Sequence, residues 1–472
     1  MKTTKQIHLL LTMLLSIFAT AAMADDVVYN ATKQTGYETL SAALADFDAD
    51  ATENVLELNG DVTLDGRRAP GNGKTLTIKP MKDGITLRRG SLKGNMIWFL
   101  TNNASQTLNI GCDDHQLIID GENKTDNTNT LLGCEKGYMN VTNVKFINFN
   151  YGESGALNKT GNNNLTLKNV TVEDSQTGTQ FFQCSGADKL ILDGSLNFNN
   201  CTGTHINVSA CLQLNNGETF TTTTPITLKI SSLSAGQLIV KTNSKDAATA
   251  NASRFIDVDN NFIFVPNTGS DDNTGILLAK GYTLKVSSAK AATFVLPYES
   301  TIPDGIKAYT LTYTSGDKAQ ATEVTGTLPA NTPVLINAEE GYYQFKATDA
   351  TATEETSPKA GCLVGAYTAT EVPEGAYVLQ NQNGNVGFYK VTSSSAISIK
   401  ANQAYLVTNT STGAKPTSIG IDFDSTTAIQ GVEEANAECD NAIYNLSGMR
   451  VSKENLTKGQ LYITKGKTFI AR

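Results

Sequence analysis

Between residues 55 and 216, short apolar stretches alternate with segments rich in Asn, Gly and Thr. The stretches begin at Val55, Leu76, Ile97, Leu117, Met139, Leu165, Leu190 and Leu212, at steps of 21, 21, 20, 22, 26, 25 and 22 residues. A period in this range marks stacked supersecondary units, each of which buries its apolar face only against its neighbours. Within a stretch, apolar and polar residues alternate, as in VTNVKFINF (141–149), LTLKNVTV (165–172) and LILDGSLNF (190–198). A period of two predicts strands buried on one side. Helical repeats would need amphipathic runs of about ten residues, and this stretch has none. Coils of 20–26 residues carrying two or three short strands predict a right-handed parallel β-helix. Asn162-Asn163-Asn164 and Asn199-Asn200 suit its tight corners, because Asn tolerates left-handed backbone.

The segment SAALADF (41–47) has helical spacing and is placed as a cap on the open end of the stack. FIDVDNNFIFV (255–265) reads as a last strand pair, and the β-helix is expected to end near residue 280. Strands such as LTLKNVTVEDS, followed by a loop and another L-x-L strand, resemble the pectate-lyase-like β-helix superfamily over about 55–280. That resemblance speaks for architecture and says little about activity.

Residues 282–424 change character to charge-poor strands punctuated by Tyr and Pro, which predicts a β-sandwich region. It repeats internally. Ile302-Pro303-Asp304-Gly305 is echoed by Val372-Pro373-Glu374-Gly375, and LPANTPVLI (328–336) by IKANQAYLV (399–407), shifts of 70 and 71. The polar run 347–359 separates the halves, and 425–441 reads as a linker. The final segment, 442–472, has the frame I-Y-N-L-S-G-x-R-V, then K-G-x-L-Y-I, then K-G-K-x-F-I-x-R. It resembles the end of the C-terminal sorting domains of type IX secretion cargo, without the usual upstream Y-P-N-P element, which implies secretion machinery as a partner. Three short strands with turns at Gly448, Gly459 and Gly466 are expected there. The predicted whole is therefore all-β: cap and β-helix (25–281), duplicated sandwich (282–424), linker and small β tail.

The N-terminus assigns the compartment. Lys2 and Lys5 precede the apolar run 9–18 and an Ala22-Met23-Ala24 cleavage signal, so residues 1–24 read as a signal peptide. The apolar run is too short to span a bilayer, and no Cys follows the cleavage point to take a lipid anchor. Loss of Lys2 and Lys5 leaves 35 basic against 46 acidic residues, a net charge of −11. That balance argues against nucleic acid as a partner.

Charge matters locally. Four of the seven arginines are Arg67, Arg68, Arg88 and Arg89, paired at a spacing of 21, with Lys93 close by. On adjacent coils they would form a positive ladder, the expected contact surface for an acidic polysaccharide. An alignment of VTL (62–64) with ITL (85–87) makes the step 23 and the pairs diagonal neighbours. Asp120, Glu122 and Asp126 are candidate calcium ligands. Asp113, Asp114 and His115 offer acid–base groups, but lack the further Asp, Gly-His-Gly and Arg-x-Lys that pectin-degrading hydrolases carry. Tyr138 and Tyr151 lie near loops as candidate sugar platforms, while Trp98 sits in an apolar run expected to be core. Seven cysteines allow at most three bridges, and Cys112 and Cys134, 22 apart, are the candidate pair. Glycan binding without catalysis is the favoured reading. A lyase or hydrolase of acidic polysaccharide, and an adhesin with the β-helix as spacer, are the alternatives.

Overall fold

The structure is a computed structural model. It describes residues 26–47, 50–64, 74–90, 97–99, 105–123, 132–134, 136–151, 156–160, 163–185, 190–208, 212–214, 220–267, 274–348, 351, 353–393, 397–408 and 415–423, and then 443–445, 450–452, 455–458, 460–464 and 467–470.

The described strands between residues 53 and 257 form a parallel β-solenoid of about six turns. Its strands lie on three faces. The first face stacks Glu53–Leu58, Thr75–Pro80, Thr107–Gly111 and Tyr138–Thr142, all parallel. It continues through the opening halves of Leu165–Glu173 and Leu190–Asn199 to Leu212–Leu214 and Leu238–Lys241. The second face stacks Val62–Thr63, Ile85–Arg88, Leu117–Asp120 and Val144–Ile147, then the closing halves of the same two long strands. The third runs from Ile97–Phe99 through Leu132–Cys134, Leu157–Thr160, Gln176–Ser185, Thr202–Val208 and Ile226–Ile230 to Phe255–Asp257.

This register corrects the apparent repeat. Leu76 and Met139 lie on the first face, Ile97 on the third and Leu117 on the second. Leu76 stacks on Leu108, and Leu108 on Met139, so these coils advance by 32 and 31 residues. The near-constant steps of 20–22 there count faces, not coils. From Met139 onward the steps of 26, 25 and 22 are true coils, pairing Met139 with Leu165, Leu190 and Leu212 in turn.

Alternation then builds the core. Leu56, Ile78, Ile110, Val141, Leu167, Leu192 and Leu214 form one inward row on the first face, all buried. Phe182 on the third face lies 6.0 Å from Phe146 and 5.7 Å from Phe198, both on the second, so aromatic rings fill the middle of the stack. Corners use left-handed residues: Asn143 and Asn169 (φ 52° and 53°) lead into the second face, and Asn148, Asp174 and Asn200 (φ 56°, 49° and 51°) leave it. Only short polar side chains and Gly reach this region at low cost, which explains the Asn-rich segments.

Antiparallel strands close both ends. Val28–Asn30 pairs with Glu53–Leu58 and with Thr35–Tyr37. The helix Leu40–Ala45, capped by Thr39, buries Leu40, Ala43 and Leu44 beside them. At the far end the strand Gly275–Val286 runs against Leu238–Lys241 and Phe262–Pro266. An Ala-rich helix that the strand pattern did not announce, Lys245–Ala252, packs there under a Ser244 cap.

Gly275–Val286 also pairs with Gly341–Lys346 through Gly281↔Lys346 to Val286↔Gly341. The expected boundary at 281/282 thus falls inside one continuous strand. Beyond it, Ser300–Thr301 pairs with Thr327–Leu328, and Thr370–Glu371 pairs with Ser398–Ile399 in the matching register. Gly305 and Gly375, from the two echoed Pro-containing turns, share φ values of 81° and 82°. Strands from both segments join one ten-stranded sheet. The tail carries four short antiparallel strands, Ile443–Asn445, Arg450–Val451, Leu461–Thr464 and Lys467–Ile470, one more than expected. Gly448, Gly459 and Gly466 lie outside the described residues.

Candidate binding surfaces

Of the arginine ladder, Arg67, Arg68 and Lys93 lie outside the described residues. The register stacks Arg88 on Thr63, a step of 25, and on Asp120, so VTL (62–64) does not align with ITL (85–87) at a step of 23. Arg88 is held by Asp61, 2.9 Å from its guanidinium. Asp61 has its pKa lowered, first by the Thr86 backbone N–H and then by Arg88. Both side chains are well exposed, so the pair contributes only about 0–1 kcal/mol. Arg89 follows at the corner and is fully buried, so it is not presented to a polymer outside.

Three other described cations on these two faces follow the same pattern. Lys79 meets Glu57 at 3.1 Å, Lys145 is paired with Glu173, and Lys168 meets Asp113 at 2.8 Å. The bond to Asp113 is the main cause of a raised Lys168 pKa. This ties the catalytic candidate Asp113 to a lysine two coils away. His115 lies 3.7 Å from Asp83. Asp114 sits beside Asp113 in the same exposed turn.

Asp120 is a turn-builder. Its Oδ1 accepts from the Glu122 N–H at 2.8 Å and from Asn148 Nδ2 at 3.1 Å. Asp126 lies outside the described residues, and among the described residues no cluster of three metal-type ligands occurs.

The Cys112–Cys134 bridge does not form: neither cysteine is in a disulfide. The 22-residue spacing is not a coil here, because the coil advances by 31. Cys112 follows the end of the first face, whereas Cys134 ends a third-face strand with its Sγ 2.9 Å from the Lys136 carbonyl.

What the fold assembles instead is an uncharged hydrogen-bonding row. Outward positions on the first face align Thr77, Asn109, Asn140 and Thr166. Asn140 Nδ2 donates to Asn109 Oδ1 at 2.9 Å, Asn109 Nδ2 to Thr77 Oγ1 at 3.0 Å, and Thr77 Oγ1 to Glu53 Oε1 at 3.0 Å. One dipole direction therefore runs along four rungs. Beside it, Thr75, Thr107 and Tyr138 form a parallel row, and the Tyr138 ring is 41% exposed. The 31- and 32-residue coils conceal this row in the sequence. The side chains of Trp98 and Tyr151 are outside the described set.

His205 is interior. Its ring stacks on Phe198 at 3.7 Å and an interplanar angle of 7°, and Nδ1 accepts from the Thr227 N–H at 3.1 Å. Burial pushes its pKa down to about 4, so it is a neutral core group.

No family model, curated protein or solved structure matches the chain. The fold defines the class: a parallel β-solenoid joined to further, mostly antiparallel β-sheet. No helix among the described residues is long and apolar enough to cross a membrane.

Proposed function

We propose that this chain is an exported polysaccharide-binding protein of the cell surface or surroundings. In this reading the solenoid is a right-handed β-helix of the pectate-lyase-like kind. A duplicated β-sandwich follows it, and the C-terminal strands are read by a secretion machine. The contact surface is the first face, and the observation that carries it is the Thr77–Asn109–Asn140 row with Tyr138 at its side. Rungs about 4.8 Å apart offer amide and hydroxyl groups at intervals close to those of sugar rings. An exposed tyrosine adds an apolar face with a polar tip. Lys79, Lys168 and Arg88 are paired with carboxylates, so hydrogen bonding rather than net charge does the recognition on the described surface. A preference for acidic polysaccharide rests on Arg67, Arg68 and Lys93, which the sequence places in the same coils.

Affinity electrophoresis through neutral and acidic polysaccharides tests this reading. Asn109→Ala/Asn140→Ala/Tyr138→Ala is expected to abolish retardation in every neutral gel that retards the parent. Arg67→Ala/Arg68→Ala is expected to reduce it in acidic gels alone, most at low salt. A parent protein retarded by no polysaccharide, or a triple variant that runs like the parent, refutes the assignment.

A further inference from the structure

A second site lies far along the chain from the solenoid face. Between Gly275–Val286 and the strands Tyr377–Gln382 and Gln403–Leu406 is an open cleft of about 330 Å³. That volume is at the lower end of small-molecule sites. Lys285 and Lys400 both line the cleft, and among the described residues no carboxylate does. Among the described residues neither ammonium is ion-paired. This contrasts with the paired Lys79, Lys145 and Lys168 of the solenoid faces. Val378 and Ile399 supply apolar surface, and Gln403 and Ser287 supply polar atoms. Gln403 Oε1 accepts from the Lys400 N–H at 2.9 Å, which leaves its NH₂ group as a donor.

The cleft is held in shape across a long stretch of chain. Thr293 Oγ1 donates to the Ala404 carbonyl at 2.8 Å and accepts from the Ala404 N–H at 3.0 Å. Asn402 Nδ2 donates to the Val295 carbonyl at 3.1 Å. Lys285 Nζ also lies 5.4 Å from the centre of the Tyr342 ring, which is 43% exposed.

We propose that this cleft binds an acidic sugar, a pyranose bearing a carboxylate. The two lysines neutralise the carboxylate, the Gln403 amide donates to ring hydroxyls, and Val378 and Ile399 meet the carbon face of the ring. Two lysines without a carboxylate partner disfavour a cationic or neutral ligand, and a sugar-sized cleft disfavours a long helix or strand.

Titration calorimetry of the full chain with digalacturonate, galactobiose and sodium acetate tests the proposal. Digalacturonate is expected to bind at one site, more weakly as salt rises, with galactobiose and acetate at least tenfold weaker. Lys285→Ala/Lys400→Ala is expected to weaken digalacturonate by roughly tenfold or more, since two charge contacts of about 0.7 kcal/mol each amount to one decade. Lys285→Arg/Lys400→Arg, which keeps the charge, should restore most of the affinity. Retardation of the Ala variant in neutral polysaccharide gels should match that of the parent, which separates this site from the solenoid face. Absence of digalacturonate binding, equal binding of galactobiose, or an Ala variant with parental affinity overturns the proposal.

Discussion

Acid should destabilise this protein through His205 in a window fixed by its burial. In the folded chain the imidazole is stacked on Phe198 and accepts a backbone hydrogen bond, and its pKa falls from 6.5 to about 4. Unfolded, it titrates at the ordinary value of about 6.5. Between these values the unfolded chain binds a proton that the folded chain refuses, so stability declines as pH falls. The contribution is fully present above about pH 6.5, is lost progressively down to about pH 4, and changes no further below that. At ~1.36 kcal/mol per decade of proton affinity, the drop from 6.5 to about 4 is worth about 3 kcal/mol. The assay is urea unfolding of the parent and of His205→Gln, which keeps an acceptor for Thr227 without an imidazole pKa. Carboxylate titrations are common to both and cancel in the difference. The gap between the two curves should move by about 2.5 kcal/mol between pH 7.5 and pH 4.5 in favour of the variant. Parallel pH dependences, or a His205 ring resonance titrating near pH 6.5, would refute the reasoning.

Other parts of the stack give sharper yes-or-no outcomes. A Cβ on Gly111 (φ 85°) would stand 2.0 Å from the Thr142 carbonyl oxygen of the next coil. Gly111→Ala should therefore cost about 3 kcal/mol or more. Gly84→Ala, at φ 80° but with nothing within 4 Å, should cost only about 1–2 kcal/mol; similar melting temperatures for the two would contradict the coil register. Phe182→Ala removes the ring that touches Phe146 and Phe198 and should cost about 3–5 kcal/mol by denaturant unfolding; a loss under about 1 kcal/mol would mean the core is not packed through it. Alkylation in denaturant without reductant should label both Cys112 and Cys134, and a peptide cross-linked through them would overturn their assignment as unbridged cysteines.

Period-two alternation was enough to place the strands. LTLKNVTV and LILDGSLNF are strands with their apolar positions inward, because side chains on a strand alternate whatever it pairs with. The Asn-rich corners were legible for the same local reason, since left-handed backbone selects for short polar residues. So were the Leu40–Ala45 helix and the echoed turns at Gly305 and Gly375. Register was not local. Coils of 22 to 32 residues share the same strands, and only pairing across them shows that Ile97 and Leu117 belong to different faces. From that one fact the cysteine spacing and the hidden Thr77–Asn109–Asn140 row both follow. Burial is likewise decided in three dimensions. Arg88 and Arg89 are neighbours of equal charge in the chain, yet one meets Asp61 at the surface and the other lies inside a corner. Sequence by itself determined which residues form strands and where the chain turns. The tertiary stack decided which strands are neighbours, and so which side chains stand together at the surface, because loop lengths absorb the offset between one coil and the next.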